Sequence, residues 1–200
     1  MLALVVMRRE SLETELNDSR VPSGQSVTDN FPVLTYGPTP SLDKDNIEIK
    51  ITGLVAPKVF GWEQIKELPQ TTICKDFHCV THWSKLDVSW TGTLTRDLLT
   101  YLEIAEEATH VMLHCYGGYT TNLSLEDFFG EGCMLAHALE GQDIPSEHGG
   151  PLRVIIPHLY AWKSAKWLSG IEFMAKDKPG FWERNGYHMR GDPFQEERFS

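Results

Sequence analysis

The chain has 200 residues, of which 41% are hydrophobic and 23% charged, and its formal net charge at pH 7 is −10. This length and composition fit one globular domain with its own hydrophobic core. The negative charge argues against general binding to nucleic acid or to an anionic membrane surface, although it leaves room for a local cationic pocket. The four cysteines lack the dense spacing of a disulfide framework, which favours reduced thiols.

The chain begins with a short apolar run at residues 1–7, followed by Arg8 and Arg9. The run is too short to span a membrane as a helix, and a secretory signal would carry its basic residues in front of the run. We therefore expect a cytoplasmic protein without a membrane span. Residues 8–30 are polar and rich in turn formers, so we expect an N-terminal arm over residues 1–30 and a single domain over residues 31–200.

The first half of the chain predicts one strand and two helices. Isoleucines alternate with charged residues in a half-buried strand pattern over residues 47–53. Residues 62–68 have helical spacing, and Pro69 ends that helix. Thr95 is expected to cap a second helix over residues 95–102.

The second half predicts further strands and one short helix. The strand candidates are residues 111–115, 134–139, 152–156 and 171–174. Ser124 and Asp127 resemble a capping box that opens a short helix. The tail from Pro179 is aromatic and charged, and it is expected to wrap the surface. Short helices scattered between many strands indicate the α+β class with mixed sheets, not a doubly wound sheet.

Cys79 is the residue with the most chemical promise. It lies between His78 and His82 and next to aromatic residues, and a thiolate there would be a soft ligand for a transition metal. One alternative is a buried, inert structural cysteine. Another is a zinc site built from Cys74, His78, Cys79 and His82. Its spacing lacks the paired two-residue spacers of structural zinc sites, and adjacent residues rarely converge on one ion.

Two downstream segments carry cations suited to a phosphorylated ligand. Lys163 and Lys166 are three residues apart, so on a helical turn both would face the same way, with Ser164 near the start of the turn. Upstream, the segment 148–153 combines two glycines, which allow close approach of the backbone, with the guanidinium of Arg153. The alternatives are two solvated lysines and a loop with one exposed arginine. The chain has no nucleotide-binding phosphate loop or dinucleotide fingerprint.

Six stretches, in this order, resemble the molybdopterin-binding domain of the sulfite oxidase superfamily, and in particular its short, stand-alone cytoplasmic sulfite oxidase-like oxidoreductase branch. They are residues 31–37 (FPVLTYG), 76–84 (DFHCVTHWS), 114–123 (HCYGGYTTNL), 148–153 (HGGPLR), 163–167 (KSAKW) and 180–188 (GFWERNGYH). The resemblance extends over nearly everything from Phe31 onward. Six spaced motifs are more specific than any one of them, and they favour a molybdenum site over a structural cysteine.

The resemblance implies a sulfite-oxidase-type molybdopterin-binding fold, a molybdenum–molybdopterin cofactor, and Cys79 as the catalytic residue that binds molybdenum. The cofactor contacts that it implies are Phe31, Leu34, Thr35, Cys79, Cys115, His148, Arg153, Ser164, Ala165 and Lys166. His82 stands where arginine or glycine is more frequent in this branch. The arginines that hold sulfite in sulfite oxidases are not evident near Cys79 in the sequence.

The function implied is two-electron oxo transfer at molybdenum on a small S-oxide, N-oxide or sulfite-like substrate. The chain has no haem or iron–sulfur signature, so a separate electron-transfer partner is expected. Two alternatives belong to other classes: a non-catalytic protein that carries the cofactor, and a zinc-stabilised interaction domain.

Overall fold

The computed structural model describes residues 20–200, so the apolar run at residues 1–7 and most of the predicted arm lie outside the described residues. Within residues 20–200, eleven strands form two β-sheets, and the helices between them are short. This is the α+β arrangement of mixed sheets and scattered helices that the sequence predicts.

The first sheet has six strands, and the long strand β5 is its centre. Antiparallel to β5 run β4 on one side and β8 on the other, and β8 also pairs with β9 and β10. The short strand β1 runs parallel to the beginning of β5, so the described end of the predicted arm lies on this sheet. The bounds are β1 Ser26–Val27, β4 Thr71–Cys79, β5 Trp83–Leu94, β8 Met134–Leu139, β9 Gln142–Asp143 and β10 Arg153–Ile155.

The second sheet has five strands in the order β3-β2-β11-β6-β7, and only β2 and β11 are parallel neighbours. In β2, buried isoleucines alternate with exposed polar residues, because successive residues of a strand point to opposite faces of the sheet. The buried face belongs to the larger hydrophobic core. The bounds are β2 Glu48–Gly53, β3 Lys58–Gly61, β6 His110–Cys115, β7 Thr120–Ser124 and β11 Leu168–Met174.

Short helices connect the sheets. The α-helices are α1 Trp62–Glu67 and α2 Leu125–Phe128. The 3₁₀ turns are Lys44–Asn46, Thr95–Tyr101, Ser146–His148, Ala161–Lys163 and Glu183–Asn185. No helix within residues 20–200 combines the length and the apolar character needed to cross a membrane.

Most of the predicted elements are confirmed, and one cap is wrong. The strands predicted at 47–53, 111–115, 134–139, 152–156 and 171–174 match β2, β6, β8, β10 and β11, and the helix at 62–68 matches α1. Ser124 caps α2, because its hydroxyl accepts from the backbone N–H of Asp127. Thr95 caps nothing: Leu94 is the N-cap residue of a 3₁₀ turn there, and the buried Thr95 hydroxyl donates to the Phe128 carbonyl at 2.5 Å.

Candidate active site

A cavity of about 320 Å³ opens where the β4–β5 hairpin meets loops from the C-terminal half of the chain. Cys79 lies at the end of β4, while Arg153 and Lys166 come from β10 and the loop before β11. The cavity thus brings together nine of the ten residues singled out in the sequence. They are Phe31, Leu34, Thr35, Cys79, His148, Arg153, Ser164, Ala165 and Lys166.

Cys79 is the last residue of β4 and pairs with Trp83 at the start of β5. His82 closes the turn between them with a left-handed φ of 69°. The Cys79 thiol is 6% exposed, and its sulfur lies 3.1 Å from the hydroxyl oxygen of Thr81. Burial raises the pKa of the thiol, and the contact with Thr81 acts in the opposite direction. The sulfur therefore lies at the wall of the cavity, shielded from bulk water.

The two neighbouring histidines do not converge on Cys79. His78 points to the other face of the strand, where its Nδ1 lies 2.8 Å from the Ser84 hydroxyl, and the Nδ1 of His82 lies 2.9 Å from the Gly24 carbonyl. Cys74 is exposed and lies five residues earlier on β4, roughly 16 Å from Cys79 along an extended strand. In the described part of the chain, no three His, Cys, Asp or Glu residues form a group that could hold a metal ion. The zinc alternative therefore finds no ligand set there.

Arg153 forms part of the opposite side of the cavity and is 2% exposed. Its guanidinium donates to the carbonyls of His148 at 2.5 Å and Ser164 at 2.7 Å, and it lies over the rings of Phe77 and Trp90. Burial lowers its pKa to about 9. Carbonyl oxygens satisfy the donors of Arg153 without neutralising its charge.

Lys166 provides a second positive charge. Its ammonium donates to the carbonyls of Leu34 at 2.9 Å and Glu147 at 2.6 Å. Burial, followed by repulsion from Arg153, lowers the pKa of Lys166 to about 8. We refer to Arg153 and Lys166 as the cationic wall. Among residues 20–200, no aspartate or glutamate lines the cavity, so this protein of net charge −10 contains a pocket that attracts anions.

The prediction that Lys163 and Lys166 share a face is wrong. The 3₁₀ turn ends at Lys163, and Ser164, at its C-terminal end instead of its start, has ψ 73°, so the chain changes direction between the two lysines. Lys163 points into the core and is fully buried, and its Nζ lies 2.6 Å from Glu183 Oε1. The hydroxyl of Ser164 accepts from the backbone N–H of Ile156 at 2.9 Å.

Three aromatic residues make up another side of the cavity, and we refer to Trp162, Trp182 and Tyr187 as the aromatic wall. The rings of Trp182 and Tyr187 stack at 4.9 Å, and Trp162 meets Tyr187 edge-on at 5.0 Å. The indole N–H of Trp162 donates to Glu183, the partner of Lys163. The tail, which the sequence predicts to wrap the surface, supplies two residues of this wall. Glu183 stands within an aromatic run of this tail, and a carboxylate in such a run is a sequence signal that the segment is buried against a charged partner.

The other predicted residues differ in how they meet the cavity. The Phe31 ring lies 4.7 Å from that of His148, which fixes the N-terminal segment against the loop after β9. Leu34 and Thr35 are exposed at the mouth. Cys115, the last residue of β6, is buried in the core and does not line the cavity. Burial raises the pKa of Cys115 to about 12.

Comparison with known proteins gives a consistent set of similarities. The family described as "Oxidoreductase molybdopterin binding domain" matches residues 36–182. The "Uncharacterized oxidoreductase YuiH" of Bacillus subtilis (strain 168) is 49% identical over 183 residues, which are 90% of this chain and 92% of that protein.

Other curated relatives are longer than this chain. The "Putative protein-methionine-sulfoxide reductase subunit YedZ1" of Azospira oryzae is 25% identical over 153 residues, 75% of this chain and 57% of that protein. The "Sulfite oxidase" of Arabidopsis thaliana is 26% identical over 206 residues, 84% of this chain and 52% of that protein. The chain thus spans little more than half of either relative.

A solved structure shares the fold. The sulfane dehydrogenase SoxCD from Paracoccus pantotrophus matches with a TM-score of 0.64 at 20% identity, and the match covers 74% of this chain and 42% of that one.

Proposed function

The chain belongs to the oxidoreductase family with the molybdopterin-binding domain, and on that premise we propose that it carries out two-electron oxo transfer on a small S-oxide, N-oxide or sulfite-like substrate. It is a molybdopterin-dependent oxidoreductase of the sulfite oxidase-like kind, and its cofactor is molybdenum–molybdopterin. The resemblance, the fold class and the cofactor predicted from the sequence are confirmed.

The residues of the cavity fit this cofactor. Cys79 offers a soft sulfur ligand, and the cationic wall offers two positive charges that no carboxylate of the lining neutralises. The indole N–H of Trp83, also in the lining, is buried and has no hydrogen-bond partner within residues 20–200, so a donor is left for a ligand. A side chain at Gly149 would come within 2.9 Å of the Lys166 Cβ, so the glycine lets this loop pack against the lysine.

The proposed roles follow from these positions. Cys79 binds molybdenum through its sulfur, and Arg153 and Lys166 hold the phosphate end of the pterin. Phe31, Leu34, Thr35, His148, Ser164 and Ala165 contact the remainder of the cofactor from the loops. When bound, the cofactor supplies two-electron redox chemistry and oxo exchange. The chain itself orients the cofactor, excludes bulk water with the aromatic wall and balances negative charge with the cationic wall.

One observation carries this proposal: the Cys79 sulfur shares a single cavity with two cations that are far from it in sequence. A buried structural cysteine does not require such a setting. Cys115 has no place in the lining, so its predicted contact with the cofactor has the least support of the ten.

The substrate class is inferred from the lining and from the relatives. Arg153 and Lys166 are the cations assigned to the phosphate end of the cofactor, which leaves neither of them for a small oxyanion beside Cys79. This supports an S-oxide or N-oxide ahead of sulfite. Relatives named as reductases of protein methionine sulfoxide agree with oxide chemistry, although they are longer proteins. A separate electron-transfer partner and a cytoplasmic location remain predictions.

The test is metal content and turnover of a matched cysteine pair. The protein is produced in a host that makes the cofactor, and molybdenum, zinc and pterin are quantified. We expect molybdenum in the wild type, and turnover of dimethyl sulfoxide or trimethylamine N-oxide with reduced viologen as the artificial electron donor. Cys79→Ser should retain pterin and lose turnover. Cys74→Ser, in an exposed position on the same strand, should keep both.

Unchanged turnover in Cys79→Ser would contradict the ligand role. Zinc without molybdenum in the wild type would contradict the proposed function and support an interaction domain. Molybdenum without turnover of any oxide or of sulfite would favour a carrier of the cofactor.

A further inference from the structure

Arg198, near the C-terminal end, is a buried cation that neither the sequence motifs nor the proposed roles use. It is 8% exposed, and its guanidinium lies 5.0 Å from the centre of the Tyr160 ring. Among the ion pairs within residues 20–200 Arg198 has none with a carboxylate, and Glu196, two residues earlier in the chain, is exposed. A buried charge without a counter-charge costs free energy unless hydrogen bonds or an anionic ligand compensate it.

One side-chain hydrogen bond of Arg198 is made to the turn that carries Cys79, and the other is made to the N-terminal segment. Its Nη1 donates to the carbonyl of Val80, the residue after Cys79, at 2.7 Å, and its Nη2 donates to the Ser23 carbonyl at 3.3 Å. On the other side, the amide of Gln25 donates to the Cys79 carbonyl at 2.9 Å. Two consecutive carbonyls of the turn are therefore held by side chains from opposite ends of the described chain.

The guanidinium of Arg198 also lies against the cluster that contains Cys79. Cys79, Val80, Tyr160 and Trp162 pack in one cluster, and the guanidinium lies over Tyr160 within it. The Val80 carbonyl that accepts from Arg198 belongs to the residue directly after Cys79, so the guanidinium lies close to the Cys79 residue. Arg198 is thus a cation near the Cys79 turn that, unlike the cationic wall, does not line the cavity.

We propose that Arg198 is a positioning residue for the Cys79 sulfur: it fixes the turn through the Val80 carbonyl and places a positive charge behind the metal site. Because that charge favours the more negative form of a metal centre, Arg198 raises the reduction potential of the molybdenum. The effect on the potential rests on the proposed function. The effect on the turn concerns the cofactor-free protein and does not rest on the proposed function.

The first measurement is hydrogen exchange of residues 79–82 in the cofactor-free protein, followed by mass spectrometry. Arg198→Met removes both hydrogen bonds, and we expect exchange in the turn to become about tenfold faster. Arg184→Met is the matched control, since Arg184 is exposed in the same tail and donates only to the Pro179 carbonyl. The control should exchange like the wild type. Unchanged exchange in Arg198→Met would overturn the positioning role.

The second measurement is the reduction potential of molybdenum, by redox titration with Mo(V) paramagnetic resonance. We expect a more negative potential in Arg198→Met and no shift in Arg184→Met. Arg198→Lys keeps the positive charge, so its reduction potential should be close to that of the wild type. If Arg198→Met does not fold, Arg198→Lys still allows the potential to be measured. A shift in Arg198→Lys as large as in Arg198→Met, or none in either, would overturn the charge role.

A wild-type protein that lacks molybdenum would refute the proposed function, and the exchange measurement would still decide whether Arg198 holds the turn.

Discussion

The cationic wall and the aromatic wall of the cavity use the same residue type in opposite ways. Lys166, in the cationic wall, donates its hydrogen bonds to backbone carbonyls and has no carboxylate partner within residues 20–200, so its positive charge remains available to a ligand. Lys163, behind the aromatic wall, is fully buried and forms an ion pair with Glu183. The same carboxylate accepts a hydrogen bond from the Trp162 indole. A charge that is neutralised inside the protein supports structure, and a charge without a carboxylate partner is suited to binding an anion.

The largest effect should follow from breaking the buried ion pair. Lys163→Met leaves the Glu183 carboxylate buried with only the donors of Thr121 and Trp162, so we expect the free energy of unfolding to fall by about 3–5 kcal/mol. Urea denaturation of the cofactor-free protein measures this. Lys166→Met should cost less than about 1 kcal/mol, and Lys163→Met/Glu183→Leu should recover much of the loss. If Lys163→Met and Lys166→Met lose equal free energies of unfolding, the proposed difference between a structural lysine and a ligand-binding lysine is contradicted.

The second effect concerns affinity for the cofactor. Here Lys166 should matter more than Lys163, whereas Lys163 matters more for the free energy of unfolding. Lys166→Met removes a charged donor from the cationic wall, so the affinity for the cofactor should fall about tenfold while the protein remains folded. Lys166→Arg keeps the charge and should retain most of the affinity. Molybdenum and pterin per folded protein, measured after extensive dialysis, report this. If Lys166→Met retains as much molybdenum and pterin as the wild type, Lys166 does not hold the phosphate.

A third, smaller effect is a pH dependence of anion binding. Burial, followed by repulsion from Arg153, lowers the pKa of Lys166 to about 8, so the ammonium is charged below that pH and loses its charge above it. Binding of inorganic phosphate to the cofactor-free protein should therefore weaken between about pH 7 and about pH 9. In Lys166→Arg the weakening should move to higher pH. Calorimetric titration tests both, and a pH-independent affinity in the wild type would contradict the assignment.

The smallest effect is expected at Cys115. It is buried behind the cavity and absent from its lining, so Cys115→Ala should leave the cofactor content unchanged. Its cost in stability should be limited to about 1 kcal/mol for the small void. Metal analysis and thermal unfolding measure the two. If Cys115→Ala loses cofactor, the result would support the contact between Cys115 and the cofactor that the resemblance implies.

Local patterns explain which parts of the fold could be predicted. In β2, buried isoleucines alternate with exposed polar residues, and the hydroxyl of Ser124 caps α2, so residues adjacent in sequence are enough to predict both elements. The hairpin of β4 and β5 was not predicted, because β4 carries polar residues on both faces before Phe77. The alternation of Leu86, Val88 and Trp90 in β5 was a usable signal that the sequence reasoning missed.

The site was predictable where a motif carries it and unpredictable where distant segments meet. Cys79, Arg153 and Lys166 lie in recognisable stretches, and they line one cavity. Lys163 fits the same stretch, yet its role depends on Glu183, which follows twenty residues later in the tail. Arg198 reaches the Cys79 turn across 118 residues of chain. No local pattern of charge or hydrophobicity encodes such a contact.

The most direct test of the central claim is X-ray absorption at the molybdenum edge, comparing the wild type with Cys79→Ser at equal molybdenum content. If the Cys79 sulfur is bonded to the metal, the variant should show one sulfur neighbour fewer and an oxygen neighbour in its place. An identical sulfur count in both proteins would contradict the account.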